Sequence, residues 1–319
     1  MNKAAAVGID LGGTKLAGAL FQADGRVLQR VVVPLEGRQG RAVGAMILAA
    51  IAGFLDTAQV RKLKIRAIGV SVPGIANSQT GKVWAPNIPG WEAYPLRREL
   101  ESVLKKRSIR VAIDSDRACY ILGEMWRGAA RGCRNAIFVA VGTGIGAGIL
   151  VDGRILRGAH DIAGAIGWLA LDRPFRPEYV SCGCFEHYAS GDGLAKAAKE
   201  IQAKRGLAGK RCGKDWTARD VFLAHGRRHP VARKVIRQAI EFWGMAVANL
   251  VSLFNPEKII FGGGVFGPAA KFRDDIYAEA KLWAQPVAIK RVRLLVSRLG
   301  GDAGLYGAGY LALHAARDC

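Results

Sequence analysis

From residue 4 to residue 34 apolar runs alternate with turn signals: AAAVGID, LGGTK, LAGALF, the turn Ala23-Asp24-Gly25-Arg26, and VLQRVVVP. This predicts three consecutive antiparallel strands, the first two joined by a glycine turn. Residues 41–57 carry apolar side chains at helical spacing and predict a helix covering that sheet. The continuous apolar run at 65–72, closed by Pro73-Gly74, predicts a buried strand ending at the mouth of the sheet. VWAPNIPGW at 83–91 reads as a stiff loop, and 96–106 as the next helix.

The second half begins with the same grammar. A strand at 136–141 meets a turn of small residues, Gly142-Thr143-Gly144; a strand at 145–151 then runs to an Asp152-Gly153 hairpin turn and a short strand at 154–156. Strand, glycine turn and strand thus occur twice, about 130 residues apart, which suggests an internal duplication with a phosphate loop in each copy. Beyond residue 191 the pattern turns helical, at 193–204, at 217–224 with Thr217 as N-cap, and at 230–254, stopped before Pro256. A strand at 258–261 enters Gly262-Gly263-Gly264, a further strand occupies 292–296, and a helix closes the chain at 302–314.

Composition narrows the class. A chain of 319 residues, half of them hydrophobic, exceeds the usual single core, so two lobes are expected. No apolar run is expected to reach the roughly 18 residues of a membrane span, and MNKAAAVGID enters a strand instead of forming a signal peptide. The expectation is a cytoplasmic protein with no membrane partner. The net charge of +21 comes from scattered basic residues, with one looser cluster at 204–214. Without aromatic interleaving or zinc-finger spacing it reads as solvated faces and not as a nucleic-acid surface. Of six cysteines only Cys182 and Cys184 are close, which fits reduced thiols better than a disulfide framework.

The candidate chemistry is phosphoryl transfer. Asp116 stands at the start of an apparent helix, where a carboxylate can take the proton of an attacking hydroxyl. The turn at 142–144 lets backbone N–H groups approach phosphate oxygens. Asp10 at a strand end can hold a water-shelled Mg²⁺, and Thr14 and Lys15 can donate to phosphate. The Asp10 segment is not a Walker loop, which needs a longer glycine spacing and a following helix.

Seven motifs in order carry a resemblance: DLGGTK at 10–15, PNIPGW at 86–91, SDRACYILGE at 115–124, VGTGIGAGI at 141–149, IAGAIGW at 162–168, GCFEHYASG at 183–191 and FGGGV at 261–265. Together they resemble the ROK family (repressor, open reading frame, kinase) of sugar kinases, within the actin-like ATPase superfamily. The resemblance implies a two-lobed α/β, ribonuclease H-like fold with a nucleotide cleft between the lobes, 1–115 plus 303–319 forming a small lobe and 116–302 a large one. It implies ATP and Mg²⁺, a homodimer, and a hexose-like acceptor. Asp116 matches the general base, and Asn87, Ser115 and Glu186 match residues that position the sugar. Gly12, Gly13, Thr14, Thr143 and Gly144 match two phosphate loops, with Asp10 holding the metal through water; Gly263 and Gly264 match the loop beside the adenosine.

The departures are as informative. The family usually has Asn-Asp at Ser115-Asp116 and A-G-E-x-G-H where this chain has Ala163-Gly164-Ala165-Ile166-Gly167-Trp168. The lost Glu and His contact the reducing-end side of the sugar in the family, and the His is also a zinc ligand. The zinc pattern C-x-C-G-x-x-G-C is missing too: its first two cysteines fall on Pro177 and Tyr179. No structural zinc is expected, and Trp168, Phe185 and Tyr188 are expected to hold this loop by packing. A buried hydroxyl without a partner costs about 1–3 kcal/mol, so two lost polar partners predict an acceptor other than plain glucose, with Trp168 free to stack on an apolar ring face. Rival readings are a transcription regulator of the same family, which needs a helix-turn-helix ahead of the first strand, and a sugar-binding protein without catalysis. Polyphosphate is an alternative donor.

Overall fold

The computed structural model describes residues 3–204 and 216–316. The basic cluster expected at 204–214 lies, beyond its first residue, outside them. The chain forms two compact units, one of Met1–Gly132, Ile155–Ala163 and Gly301–Cys319, the other of Cys133–Arg154 and Gly164–Gly300.

The first unit opens with β1 (Lys3–Leu11), β2 (Lys15–Gln22) and β3 (Val27–Pro34), the expected antiparallel meander. Helix α1 (Gly40–Val60) leads to β4 (Leu63–Val72), the two-residue strands β5 (Ile75–Ala76) and β6 (Val83–Trp84), helix α2 (Leu96–Leu104), β7 (Arg110–Ser115) and helix α3 (Asp116–Arg127). The sheet order is β3-β2-β1-β4-β7, with β4 parallel to both β1 and β7. Side chains alternate across it with period two. Val7, Ile9, Leu11, Ile68, Val70 and Val72 enter one core with Ile47, Ile51 and Phe54 of α1 and Leu96 and Leu100 of α2. The other face carries Ala6, Gly8, Ala67 and Gly69 and ends in a polar row: Asp10 pairs in register with Ser71, and Ser71 with Asp114.

Helix α1 is long and apolar enough to cross a membrane, contrary to the sequence expectation. Its apolar stripe, Val43, Ile47, Ile51, Phe54, Leu55 and Ala58, is buried in the unit core.

The second unit repeats the plan: β8 (Ala136–Val141), β9 (Ile145–Val151) and β10 (Arg154–Ile155), then helices α4 (Cys184–Ala189), α5 (Gly191–Lys204), α6 (Ala218–Gly226) and α7 (Pro230–Phe254), β11 (Lys258–Gly262), α8 (Arg273–Trp283) and β12 (Arg293–Val296). The sheet order β10-β9-β8-β11-β12, with β8 antiparallel to β9 and β11 parallel to both β8 and β12, has the connectivity of the first sheet. That is the duplication the repeated motif suggested. Thr217 caps α6 as expected, in a reciprocal box with Asp220. Helix α7 buries Val235, Ile236, Ala239, Phe242, Trp243 and Ala246, and Trp243 Nε1 donates to Ala189 O at 3.1 Å, tying α7 to α4.

The closing helix α9 (Ala303–Ala315) returns to the first unit and lies on the small-residue face. A Cβ on Gly8 would stand 2.6 Å from Gly309 N, and one on Gly69 only 1.9 Å from Ala308 O. Helix α3 packs as tightly: a Cβ on Gly123 would meet Ala303 O at 2.2 Å. This contact corrects the expected lobe boundary. Residues 116–132 belong with the first unit, because α3 is bound to α9.

Candidate active site

In the first unit the site grows from the polar end of the small-residue face. β1 ends in Asp10, and the chain turns at once through Gly12, whose N–H donates to Lys15 O at 2.9 Å. Gly13, Thr14 and Lys15 stay exposed. A Cβ on Gly13 would sit 3.6 Å from Cβ of Asn87, so the expected acceptor loop runs beside the expected phosphate turn. Helix α9 approaches so closely that a Cβ on Gly304 would stand 2.7 Å from both carboxylate oxygens of Asp10. Burial is the main force pushing the Asp10 carboxyl up to about 6; the Ser71 hydroxyl opposes it, while the neighbouring Asp116 and Asp302 carboxylates add to it.

Ser115 is the N-cap of α3, its Oγ accepting from Ala118 N at 3.3 Å. That leaves Asp116, the first helical residue, free of capping duty. Its Oδ1 accepts from Arg117 N at 2.7 Å and its Oδ2 from the Tyr120 hydroxyl at 3.3 Å, so the carboxylate is fixed in orientation at the positive end of a helix. Burial raises its pKa, and the Arg117 cation and these hydrogen bonds pull it back. The segment Ile155–Ala163 docks beside it: Arg157 pairs with the buried Asp114, Ser78 N donates to Asp161 Oδ2 at 3.0 Å, and Arg117 Nη1 donates to Ile162 O at 3.3 Å. Tyr120, Ser71, Asp114 and Arg157 were not among the expected site residues. The pairing of β7 with β4, which aligns Asp114 with Ser71, is the structural signal that brings two of them in.

The second unit gathers the other expected residues. The 142–144 turn is closed by Gly142 N donating to Gly144 O at 2.9 Å and held from below by Gly191 N donating to Gly142 O at 2.7 Å. Thr143 is exposed at its tip. Glu186 Oε2 accepts from Ile145 N at 2.6 Å, and Gly144 and Gly167 make room: a Cβ on either would come within 2.7 and 3.0 Å of that oxygen. Burial raises the Glu186 pKa, with the Ile145 N–H opposing it. Gly263, at φ +87°, lies against Val141 O, 2.4 Å from where its Cβ would be, so the glycine loop after β11 shares the end of the sheet with the phosphate turn.

Packing of the 166–188 loop differs from expectation. Phe185 and Tyr188 are buried, but Trp168 is 58% exposed and does not hold the loop. Cys182 is half-buried and Cys184 buried, both free. Among the described residues no group of three or more His, Cys, Asp or Glu could hold a metal ion.

The chain is similar to known proteins. The sequence profile of the ROK family matches residues 6–315. A glucokinase of Halalkalibacterium halodurans is 33% identical over 317 residues, covering 96% of this chain and 94% of that protein. The crystal structure of a ROK family glucokinase from Streptomyces griseus in complex with glucose and AMPPNP superposes with a TM-score of 0.76 at 28% identity, covering 97% of this chain and 99% of that one. A ROK family transcriptional regulator, a homologue of the E. coli MLC protein, gives a TM-score of 0.83 at 26% identity over 99% of this chain and 79% of its own.

Proposed function

The chain belongs to the ROK family, with its actin-like ATPase fold, and on that premise we propose that it is an ATP-dependent kinase of a hexose-like sugar. The observation that carries the proposal is Asp116: a carboxylate released from capping by Ser115, oriented by Arg117 N and the Tyr120 hydroxyl, in the same unit as the Asp10 turn. In the reaction the acceptor oxygen forms a bond to the γ-phosphorus, the bond from that phosphorus to the β–γ bridging oxygen breaks, and ADP leaves. Asp116 takes the hydroxyl proton as the new bond forms, a contribution typically worth about 10²–10⁴-fold in rate.

The residues of Gly12, Gly13, Thr14 and Lys15 and of Thr143 and Gly144 are proposed to bind phosphates, and Gly263 and Gly264 to lie beside the adenosine. Asp10 fits Mg²⁺ held through water: its carboxyl is pushed up by burial and by two further carboxylates despite the opposing Ser71 hydroxyl and Lys15 cation, and a divalent cation would add the positive charge that offsets this. Bound there, the metal would neutralise charge on the phosphates. Asn87, Ser115 and Glu186 are assigned to the acceptor. Ala165 and Trp168 stand where the family pattern has Glu and His, which supports an acceptor altered at its reducing-end side, such as a modified hexose, an amino sugar or a cyclitol. We extend the proposal to a homodimer working in the cytoplasm.

The regulator relative leaves a second reading, a sugar-binding protein without catalysis. The retained Asp116 and both small-residue turns argue against it, since a binder has no chemical need for a base or for two phosphate turns. Nucleotide turnover measured across a panel of acceptors, with ATP and polyphosphate compared as donors, tests the proposal. Glucose as clearly the best substrate would remove the altered-acceptor part, and no turnover with any acceptor would remove the kinase.

A further inference from the structure

The zinc pattern implied by the family resemblance does not fit the residues present. Its ligand positions fall on Trp168, Pro177, Tyr179 and Cys184. An indole, a pyrrolidine ring and a phenol supply neither thiolate nor imidazole, and one thiol does not complete a tetrahedral site.

A hydrogen-bonded cluster stands in that place. Tyr188 Oη accepts from Arg176 Nη1 at 3.0 Å, donates to Asp172 Oδ2 at 2.9 Å, and lies 2.7 Å from Tyr179 Oη. The Tyr179 hydroxyl reaches the same carboxylate oxygen at 3.3 Å. Both tyrosine rings are buried, and the His187 ring stands edge-on to each, at 5.4 and 4.9 Å between centroids. Tyr188 also stacks on Phe242 of α7 at 4.3 Å. The cluster therefore joins three pieces of chain, the 172–176 stretch, the turn Pro177–Val180 and α4, and seats them on α7. A metal crosslink does the same job with coordinate bonds.

The cluster bears on chemistry through α4. Glu186 lies between Phe185 and His187 on that single short helix, and its carboxylate holds Ile145 N at the foot of the 142–144 turn. An error of a fraction of an ångström in α4 moves that contact directly. We infer that Tyr179, Tyr188, Asp172 and Arg176 replace the family's zinc as the crosslink that positions α4, and through it Glu186 against the phosphate turn. These four are positioning residues. Their kinetic consequence rests on the kinase reading, but their independence of metal does not.

The test uses the full chain. Elemental analysis of the purified protein should find far less than one zinc per chain, and Tm should be the same with and without a zinc chelator. Stoichiometric zinc, with a lower Tm after chelation, overturns the inference. Tyr188→Phe and Asp172→Asn should each lower Tm and raise the acceptor KM several-fold. In a Glu186→Ala background the KM effect should largely vanish, because the cluster acts through that carboxylate. Fully additive effects, or an unchanged KM beside a lowered Tm, mean the cluster is structural only and also overturn it. Asp172→Asn, at an exposed position, serves where Tyr188→Phe does not fold. Should no acceptor be phosphorylated, the kinase reading falls, and the same cycle read in Tm, with the metal analysis, still decides this one.

Discussion

Replacing Asp10 by Asn tests whether the first unit tolerates a destabilising charge for the sake of its chemistry. The carboxyl is raised from 3.8 to about 6, chiefly by burial, so the folded state holds its proton more tightly than the unfolded chain does. A group of this kind costs nothing below the unfolded pKa. Its penalty accumulates as pH rises between the two values and is complete above the folded one. A shift of about two units is worth about 3 kcal/mol at most, and the partial solvent access of Asp10 lowers this to about 1–3 kcal/mol. Asn keeps the size and removes the charge. Asp10→Asn should thus be more stable than the parent at pH 7.5, with Tm higher by about 2–4 °C for each kcal/mol, and the gain should shrink towards pH 4. The loss of amide or carboxylate hydrogen bonds offsets the curve by a constant and leaves its slope. Tm of both proteins from pH 4 to pH 8, with and without Mg²⁺-ATP, reads this out, and ligand stabilisation should be weaker in the variant. A Tm difference independent of pH, or one that grows on acidification, refutes the reasoning.

Arg157→Ala leaves the buried Asp114 carboxylate without its cation; because Arg157 is itself partly exposed, a loss of about 1–3 kcal/mol is expected. The loss should diminish at low pH, where Asp114, with its raised pKa, takes up a proton; denaturant melts at pH 4.5 and 7.5 check this. Gly69→Ala places a Cβ 1.9 Å from Ala308 O, a backbone atom that cannot swing aside, and should cost about 1–3 kcal/mol or more by separating α9 from the sheet. An unchanged Tm contradicts that packing. Glu186→Ala frees Ile145 N and should raise the KM for both ATP and acceptor, with about 1–3 kcal/mol lost in stability. Since burial raises the Asp116 pKa, the acid limb of kcat/KM should lie above the usual carboxylate value of about 3.9.

Much of this architecture was legible because one physical rule governed each element. The strands at 136–141 and 145–151 and the helix at 230–254 agree with β8, β9 and α7 because apolar run and turn signal coincide there. The doubled sheet order follows from the doubled strand-turn-strand pattern. What escaped reading depends on partners distant in sequence. β7 carries Asp114 and Ser115 and shows no clear run of its own; it becomes a strand by pairing with β4. α3 joins the first unit through Gly123 and Ala303, far apart in the chain. Trp168 is large and aromatic, so packing was a natural expectation, yet the backbones of Gly183 and Gly167–Trp168 lie in close contact while the indole remains at the surface. At the site, Asp116 and the small-residue turns could be named from types and order. Tyr120, one turn after Asp116 on the same helix face, is marked by its i, i+4 spacing; the Tyr179–Tyr188 cluster is not, since its members sit on separate pieces of chain.

Acting as a sugar kinase, the protein would need Asp116 as its base. ADP release measured with ATP, Mg²⁺ and a panel of hexoses, amino sugars and cyclitols, for the parent and for Asp116→Asn, addresses this most directly. Turnover with at least one acceptor is expected, with a fall of about 10²–10⁴-fold in the variant and no fall in Tm, since Asn removes a charge that burial disfavours. Equal turnover by the two proteins, or none by either with every acceptor, would contradict that role.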